Sequence, residues 1–454
     1  MDAEAFFFEG TRHMACGDLQ SAESCFRKAL QLAPDFAEAQ VNLGLLLEQQ
    51  NHGDAAEACY RRSIELNPTY PQTHLNLGAL LAGSKRFEEA EAAYSQAIML
   101  RPEAAAGWSN LGALYACCKR EQEAEQCYRT ALLLEEDYAT ARFNLSYILL
   151  RQGRLEEGWQ CLEGRNWYAP LSAQLSFPRW QGETLHGKSI LIGYEAGHGD
   201  MIQFYRYVAV LKSMGVTTIS IICHPALKTL FAAQGTLDQV YSFEDLIPAT
   251  GWDYWTPPFS LPYHCKTRLE NIPANIPYLK AAPELISKWA AELPDNGLRV
   301  GLVWKGNPLF ENDSDRSIPS LEMLAPLSAI SGINFVSLQK GAGEAEALHP
   351  PMPMHTCLLT DFADTAAIIS HLDLVIAVDT AVAHLAGALG KPCWVMLPDY
   401  KADWRWLKER TDTPWYPNVM RLFRQPAMGD WTSVIAQVAN NLRVWVESQN
   451  TRGR

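Results

Sequence analysis

The triplets Asn42-Leu43-Gly44, Asn76-Leu77-Gly78 and Asn110-Leu111-Gly112 recur every 34 residues, and Asn144-Leu145-Ser146 continues the series. Other columns keep the same spacing. Pro34, Pro68 and Pro102 form one, Phe26, Tyr60, Tyr94 and Tyr128 a second, and Ala22, Ala56, Ala90 and Ala124 a third. A fixed period of this length is the mark of a repeat array, in which each unit buries its apolar face only against its neighbours. Small residues let two antiparallel helices approach closely, and proline stops the second helix of each pair. The columns predict helix pairs over 3–36, 37–70, 71–104 and 105–138, with a fifth pair, 139–165, as cap or junction.

Gly where two helices cross, Ala within the second helix and Pro at its end resemble the tetratricopeptide repeat. In such arrays the first helix of each pair lines a concave face. Asn42, Asn76, Asn110 and Asn144 hold one position of that helix and are expected to form a ladder. An amide both donates and accepts, which suits the backbone of an extended acceptor peptide. The ladder is similar to that in the repeats of eukaryotic O-GlcNAc transferase; the alternative is that each Asn only orders its neighbouring helix. Phe8 stands at this position in the first repeat, so the ladder ends before it.

The chain has 454 residues, a length that predicts two to four domains. Hydrophobic residues make up 48% and charged residues 20%, which excludes disorder as the main theme. The formal net charge is −13, with −9 over 1–165 and −4 over the rest. Without a Lys/Arg-rich run, nucleic acid is not expected as a partner. The acidic repeats suit a neutral or basic peptide. The opening residues carry no basic region of a secretory signal. The most apolar stretch, 372–397, is interrupted by Asp373, Asp379, His384 and Lys391, so no transmembrane segment is expected. Eleven cysteines without zinc-ligand spacing are read as reduced thiols in a cytoplasmic protein. Cys25, Cys59 and Cys127 fall in register with the repeat.

From Leu185 the pattern changes. Short apolar runs alternate with helical segments, which indicates parallel α/β layering. Strands are expected at Ser189–Tyr194, Thr217–Cys223, Arg299–Trp304, Asn334–Leu338, Leu374–Val378 and Cys393–Leu397. Helices are expected over about 200–214, 320–327, 363–371 and 380–389. The pattern fits the two-lobed GT-B arrangement and equally other paired Rossmann-like domains.

Two segments narrow the choice. Gly193-Tyr-Glu-Ala-Gly-His-Gly-Asp200-Met-Ile-Gln-Phe-Tyr-Arg-Tyr207 reads as strand, Gly-rich turn and helix start. Asp379-Thr-Ala-Val-Ala-His384-Leu-Ala-Gly-Ala-Leu-Gly390-Lys-Pro392 reads as a strand end and a helix of small residues. They resemble the lipopolysaccharide heptosyltransferase type of GT-B enzyme. With the repeats in front, the chain resembles bacterial tetratricopeptide-repeat glycosyltransferases. Val300-Gly-Leu-Val-Trp-Lys305-Gly-Asn307, Asp315-Arg316-Ser317, Asp403-Trp-Arg-Trp406 and Pro414-Trp-Tyr-Pro417 fit that group too.

The resemblance implies an α + α/β chain: a repeat solenoid over 1–165, an N-terminal Rossmann-like domain over 166–290 and a nucleotide-sugar-binding domain over 291–454. It also implies inverting, metal-independent transfer from a nucleotide sugar to a protein acceptor. A lipid or saccharide acceptor, or an inactive scaffold, are the alternatives. No cofactor is expected, because the nucleotide sugar is a substrate. Asp313-Ser-Asp315 imitates a metal-binding pair, but enzymes of this type work without metal.

Inverting transfer needs a base near the acceptor hydroxyl and a site for the departing diphosphate. By resemblance Asp200 is that base, although Asp is also a preferred helix N-cap. His198, on the same turn, is a substrate contact or second base candidate. Thr380, Ala381 and Val382, following Asp379, would offer the diphosphate the free N–H groups of a helix N-terminus. His384 lies one turn along. Lys305 and Arg316 are candidates for the β-phosphate charge, and Asn307 for a donor contact.

Overall fold

The computed structural model describes residues 2–452. The chain forms two compact units, one ending at Ile148 and the other beginning at Leu149.

The first unit is a run of helical hairpins: α1 (Ala3–Ala15) with α2 (Leu19–Leu32), α3 (Ala37–Gln49) with α4 (Gly53–Leu66), α5 (Pro71–Gly83) with α6 (Phe87–Leu100), and α7 (Ala105–Cys117) with α8 (Glu121–Leu134). The periodic columns explain the packing. Gly10, Gly44, Gly78 and Gly112 lie against the rings of Phe26, Tyr60, Tyr94 and Tyr128. A Cβ at Gly78 would come 2.6 Å from the Tyr94 ring, so the close helix crossing depends on glycine. Ala22, Ala56, Ala90 and Ala124 are fully buried beside them. The turn inside each hairpin repeats as well: Gly17, Asn51, Lys85 and Lys119 all have positive φ. Cys25 and Cys127 are buried and Cys59 half-buried, as packing residues should be.

The fifth pair consists of α9 (Ala139–Arg151) and α10 (Leu155–Leu162). The division between units runs through α9, and α10 belongs to the second unit, whereas the expected boundary stood at 165. Burial gives the reason. Trp159 of α10 is 1% exposed, its ring lies 5.2 Å from Trp404 and 6.3 Å from Trp415, and its Nε1 donates to the Thr267 carbonyl.

The second unit contains two parallel sheets. One has the order β3-β2-β1-β4, from β1 (Ser189–Ile192), β2 (Thr218–Cys223), β3 (Gln239–Ser242) and β4 (Tyr254–Thr256). The other has the order β10-β9-β8-β5-β6-β7, from β5 (Leu298–Val303), β6 (Ile333–Ser337), β7 (Met354–Thr356), β8 (Leu374–Val378), β9 (Cys393–Leu397) and β10 (Met420–Arg424). In each sheet the strand order reverses once, beside β1 and beside β5. Ligand crevices of open α/β sheets form at the carboxyl ends of the strands flanking such a reversal.

The stretch 372–397 resolves into β8, an eight-residue helix and β9, all core elements. No helix among the described residues is long and apolar enough to cross a membrane. The C-terminal helix Trp431–Arg452 covers the second sheet, with Trp431, Val434, Ile435 and Val438 packed among Val300, Leu302 and Ile376. Two local expectations change. The helix expected over 200–214 starts earlier and is split into His198–Phe204 and Tyr207–Ser213. The helix Pro283–Ala290, assigned from sequence to the first α/β domain, packs on the second: Trp289 Nε1 donates to Asp364 Oδ1 at 2.8 Å.

Candidate active site

The segment after β1 turns sharply because several partners hold it. The Gly193 amide donates to the Thr256 carbonyl at the end of β4. Glu195 is buried in a bidentate ion pair with Arg165, at 2.6 and 3.0 Å. Ala196 adopts φ 55, a left-handed conformation unusual for a residue with a Cβ, and its carbonyl accepts from His224 Nε2. The helix His198–Phe204 then begins, with Gly197 as its N-cap.

Asp200 is therefore the third residue of that helix, not its N-cap. Its Oδ2 accepts from the Gly197 amide at 2.7 Å, the return half of a capping box, while Oδ1 pairs with the Arg405 guanidinium. Burial pushes its carboxyl above the usual range, opposed first by Arg405 and then by the Gly197 amide. His198 stacks between His224 and Phe362, with ring centroids 4.4 and 5.2 Å away. Burial, with His224 beside it, lowers its pKa to about 4, so it is neutral near pH 7.

Opposite lies the helix Ala381–Ala388, which follows β8. The Ala381 and Val382 amides begin this helix, and the Thr380 hydroxyl is buried without a partner. The two helix starts touch. A Cβ at Gly199 would come 2.9 Å from His384 Cδ2 and 3.3 Å from Ala381 Cα, which accounts for glycine there. Asp379 accepts from Trp406 Nε1 at 2.8 Å, and burial, reinforced by the nearby Asp403 charge, raises its pKa to about 6. His384 Nδ1 lies 2.9 Å from the Tyr416 hydroxyl, and its ring stacks on Trp406 with centroids 5.3 Å apart. Burial, with Arg405 and Arg206 nearby, holds His384 far below its usual pKa and therefore neutral.

The remaining candidates divide. Arg316 lies close enough to Asp379 to hold down its pKa, while its Nε pairs with Asp313 at 3.0 Å and its guanidinium stacks on Phe310. Lys305 is engaged with Glu346. Asn307 is exposed, with its side-chain oxygen accepting from the Leu309 amide. Asp200, Asp379, Thr380, Ala381, His384 and Arg316 thus gather around the two helix starts, while the Lys305 ammonium and the Asn307 amide are occupied elsewhere.

Arg405 was not foreseen. It stands between Trp404 and Trp406, both fully buried, and only its place in the Asp403-Trp-Arg-Trp406 stretch could have signalled it. The four Asn of the repeats are half-buried. Asn42 Nδ2 donates to Thr11 Oγ1 at 3.4 Å, Asn76 Oδ1 accepts from Gln72, and Asn76 Nδ2 is buried without a partner.

Comparison with known proteins matches the two halves separately. Tetratricopeptide repeat models match residues 9–71, 121–158 and 59–92. The model of glycosyltransferase family 9 (heptosyltransferase) matches residues 337–395, from the end of β6 into β9, and so includes Asp379 to His384 but not the turn that carries Asp200. Protein FlbA of Caulobacter vibrioides is 27% identical over 331 residues, which cover 66% of this chain and 54% of that protein. The chain thus spans about half the length of this curated relative. Among solved structures, pilF of Pseudomonas aeruginosa (21% identical, TM-score 0.34) covers 36% of this chain and 77% of its own. MamA of Desulfovibrio magneticus RS-1 (15% identical, TM-score 0.33) covers 36% of this chain and 91% of its own. Helical repeats that match tetratricopeptide models are thus followed along the chain by a parallel α/β region, one segment of which matches the heptosyltransferase family of glycosyltransferases.

Proposed function

We propose that this protein is an inverting glycosyltransferase of the GT-B type that moves a sugar from a nucleotide-sugar donor to a protein acceptor bound by the repeats. The observation that carries the reading is the meeting of the two helix starts: Gly199, beside Asp200, lies against Ala381 and His384 at the carboxyl ends of both sheets. One side offers a carboxylate and the other offers amides and a hydroxyl, the two functions that inverting transfer requires.

In this mechanism Asp200 takes the proton of the acceptor hydroxyl. The acceptor oxygen forms a bond to the anomeric carbon as the bond to the diphosphate breaks, and that electron pair leaves on the β-phosphate oxygen. The amides of Ala381 and Val382, the Thr380 hydroxyl and the Arg316 charge meet the developing negative charge. Neutral His384 and its Tyr416 partner shape the same wall without adding charge. Lys305 and Asn307 contribute once donor binding frees them from Glu346 and the Leu309 amide. In this mechanism protein groups meet the diphosphate charge, and no metal is called for.

The test is turnover of UDP-, GDP-, ADP- and dTDP-hexoses by the purified protein with EDTA present, read as released nucleoside diphosphate. Asp200→Asn should lower turnover by roughly 10²- to 10⁴-fold, the usual loss on removing a general base, with donor affinity within a few-fold. Ala381→Glu should weaken nucleoside diphosphate binding in calorimetry. Strict dependence on a divalent ion, or full activity in Asp200→Asn, would contradict the mechanism. For the acceptor, joint replacement of Asn76, Asn110 and Asn144 by Ala should weaken protein-acceptor binding about tenfold or more, at about 0.5–1.5 kcal/mol per hydrogen bond. A stable triple variant with unchanged transfer would remove the repeats' amides from the mechanism.

A further inference from the structure

We propose that Arg405 is a positioning residue for Asp200, a proposal that rests on the function just described. Arg405 occupies a single 3₁₀ turn, Trp404–Trp406, beyond β9 of the second sheet, and is 4% exposed. Its guanidinium edges are divided between two elements. Nη1 donates to both oxygens of Asp403, at 3.0 and 2.9 Å, so its own turn orients it. Nη2 meets Asp200 Oδ1, and Nε meets Gln203 Oε1, on the helix His198–Phe204. Asp200 and Gln203 are three residues apart and therefore share one face of that helix, matching the fork of a guanidinium. The Trp404 ring, 4.3 Å from the guanidinium carbon, covers one of its faces.

A guanidinium held by an aspartate and an aromatic ring has little freedom, and neither does the carboxylate it grips. Arg405 fixes one oxygen of Asp200 and the Gly197 amide the other, so the carboxylate plane is set before an acceptor arrives. Reacting groups must be held within fractions of an ångström, and a misplacement of 1 Å costs about 10²-fold. When Asp200 takes the acceptor proton, its negative charge disappears. Asp403 stays paired with Arg405 through this change. Arg405 favours the charged form of Asp200, so its part in the step is to orient the carboxylate rather than to raise its basicity. No additional reactant is needed: the proton goes from acceptor oxygen to Asp200, and the electron pair of the broken sugar–phosphate bond goes to the diphosphate.

Because Arg405 acts through Asp200, the decisive experiment is a double-mutant cycle on donor turnover, run with whichever of the UDP-, GDP-, ADP- or dTDP-hexoses the wild type uses. Arg405→Met should lower kcat about 100-fold with donor KM within about threefold, and Arg405→Lys, which keeps the charge but loses the fork, should recover part of the loss. Asp200→Asn combined with Arg405→Met should be no slower than Asp200→Asn alone, since residues acting as a unit are not additive. Multiplicative losses, or a donor KM that rises as much as kcat falls, would overturn the positioning role while leaving the transferase reading intact. Wild type that turns over none of the donors would overturn both. If Arg405→Met does not fold, Asp403→Asn in the same cycle replaces it, with the same non-additivity expected.

Discussion

Arg86 in the repeat unit and Arg165 in the α/β unit each hold two glutamates. Arg86 bridges Glu57 and Glu89, both at 2.7 Å, with 39% of its side chain exposed. Arg165 bridges Glu163 and Glu195, at 3.0 and 2.6 Å, with its side chain fully buried. Water already solvates the first cluster, so the geometry there adds little to folding. The second has lost its hydration, and each charge depends on its partner. The same pairing therefore decorates one region and locks the other, where it sits directly under the turn that carries Asp200.

Breaking the two clusters should separate the regions most strongly. Arg165→Met leaves Glu195 buried without its cation, a change that typically costs about 3–5 kcal/mol. Urea unfolding of the second unit should shift accordingly. Arg86→Ala should leave the unfolding midpoint close to wild type. Equal shifts in the two variants would mean that burial is not what distinguishes the clusters.

The regions also differ in how much their sequence discloses. In the repeats each structural role recurs every 34 residues, so a column such as Gly44, Gly78 and Gly112 reveals a contact that one glycine could not. In the α/β unit the buried strands were legible as continuous apolar runs. The four strands missed, β3, β4, β7 and β10, are the edges of the two sheets. They are short or only partly buried, Gln239–Ser242 and Met354–Thr356 especially, so no apolar run marks them. Asp200 and Thr380 to Val382 could be found because the motif surrounds them. Arg405 could not, since its partners Asp200 and Gln203 lie some 200 residues away and its neighbours in sequence are buried tryptophans.

Titration sharpens the contrast. Burial raises the Asp379 carboxyl to about 6 from an ordinary 3.8. A raised carboxylate destabilises the fold above its folded pKa, and the cost fades as pH falls toward the unfolded value. Asp379→Asn keeps an oxygen for Trp406 without the charge. It should stabilise the protein at pH 8, by on the order of 2–3 kcal/mol, and have little effect near pH 4. Denaturant midpoints at the two pH values test this, and a pH-independent difference would refute it. Removing a repeat carboxylate such as Glu89, which is exposed and paired with Arg86, should show no gain at pH 8.

Helix crossings come next. Gly78→Ala inserts a methyl group against Tyr94 inside a packed hairpin, and overpacking of this kind costs about 1–3 kcal/mol. Gly83→Ala, on the same helix but with nothing within 4 Å of the added carbon, should be neutral or slightly stabilising. Thermal unfolding of the pair separates the contact from helix propensity.

The smallest effect concerns backbone strain, where the two regions look alike and should behave differently. Asn51, at φ 62, closes a repeat hairpin, and Ala196, at φ 55, lies in the turn before Asp200. Asn tolerates the left-handed region because its side chain bonds locally, so Asn51→Gly should change little. Alanine has no such compensation, and the conformation costs about 1–2 kcal/mol. Glycine removes that cost but adds about 0.5–1 kcal/mol of unfolded-chain entropy. Ala196→Gly should therefore be stabilising by up to about 1 kcal/mol. Turnover should nevertheless fall several-fold, because the strain accompanies a fixed turn: the Ala196 carbonyl meets His224, and the next amide, Gly197, holds Asp200. Strain of this kind persists where the surrounding contacts over-determine it, and such sites cluster at functional turns. A gain in stability with a loss of activity would mark the turn as preorganised for Asp200. A gain in both, or in neither, would reduce Ala196 to another hairpin residue like Asn51.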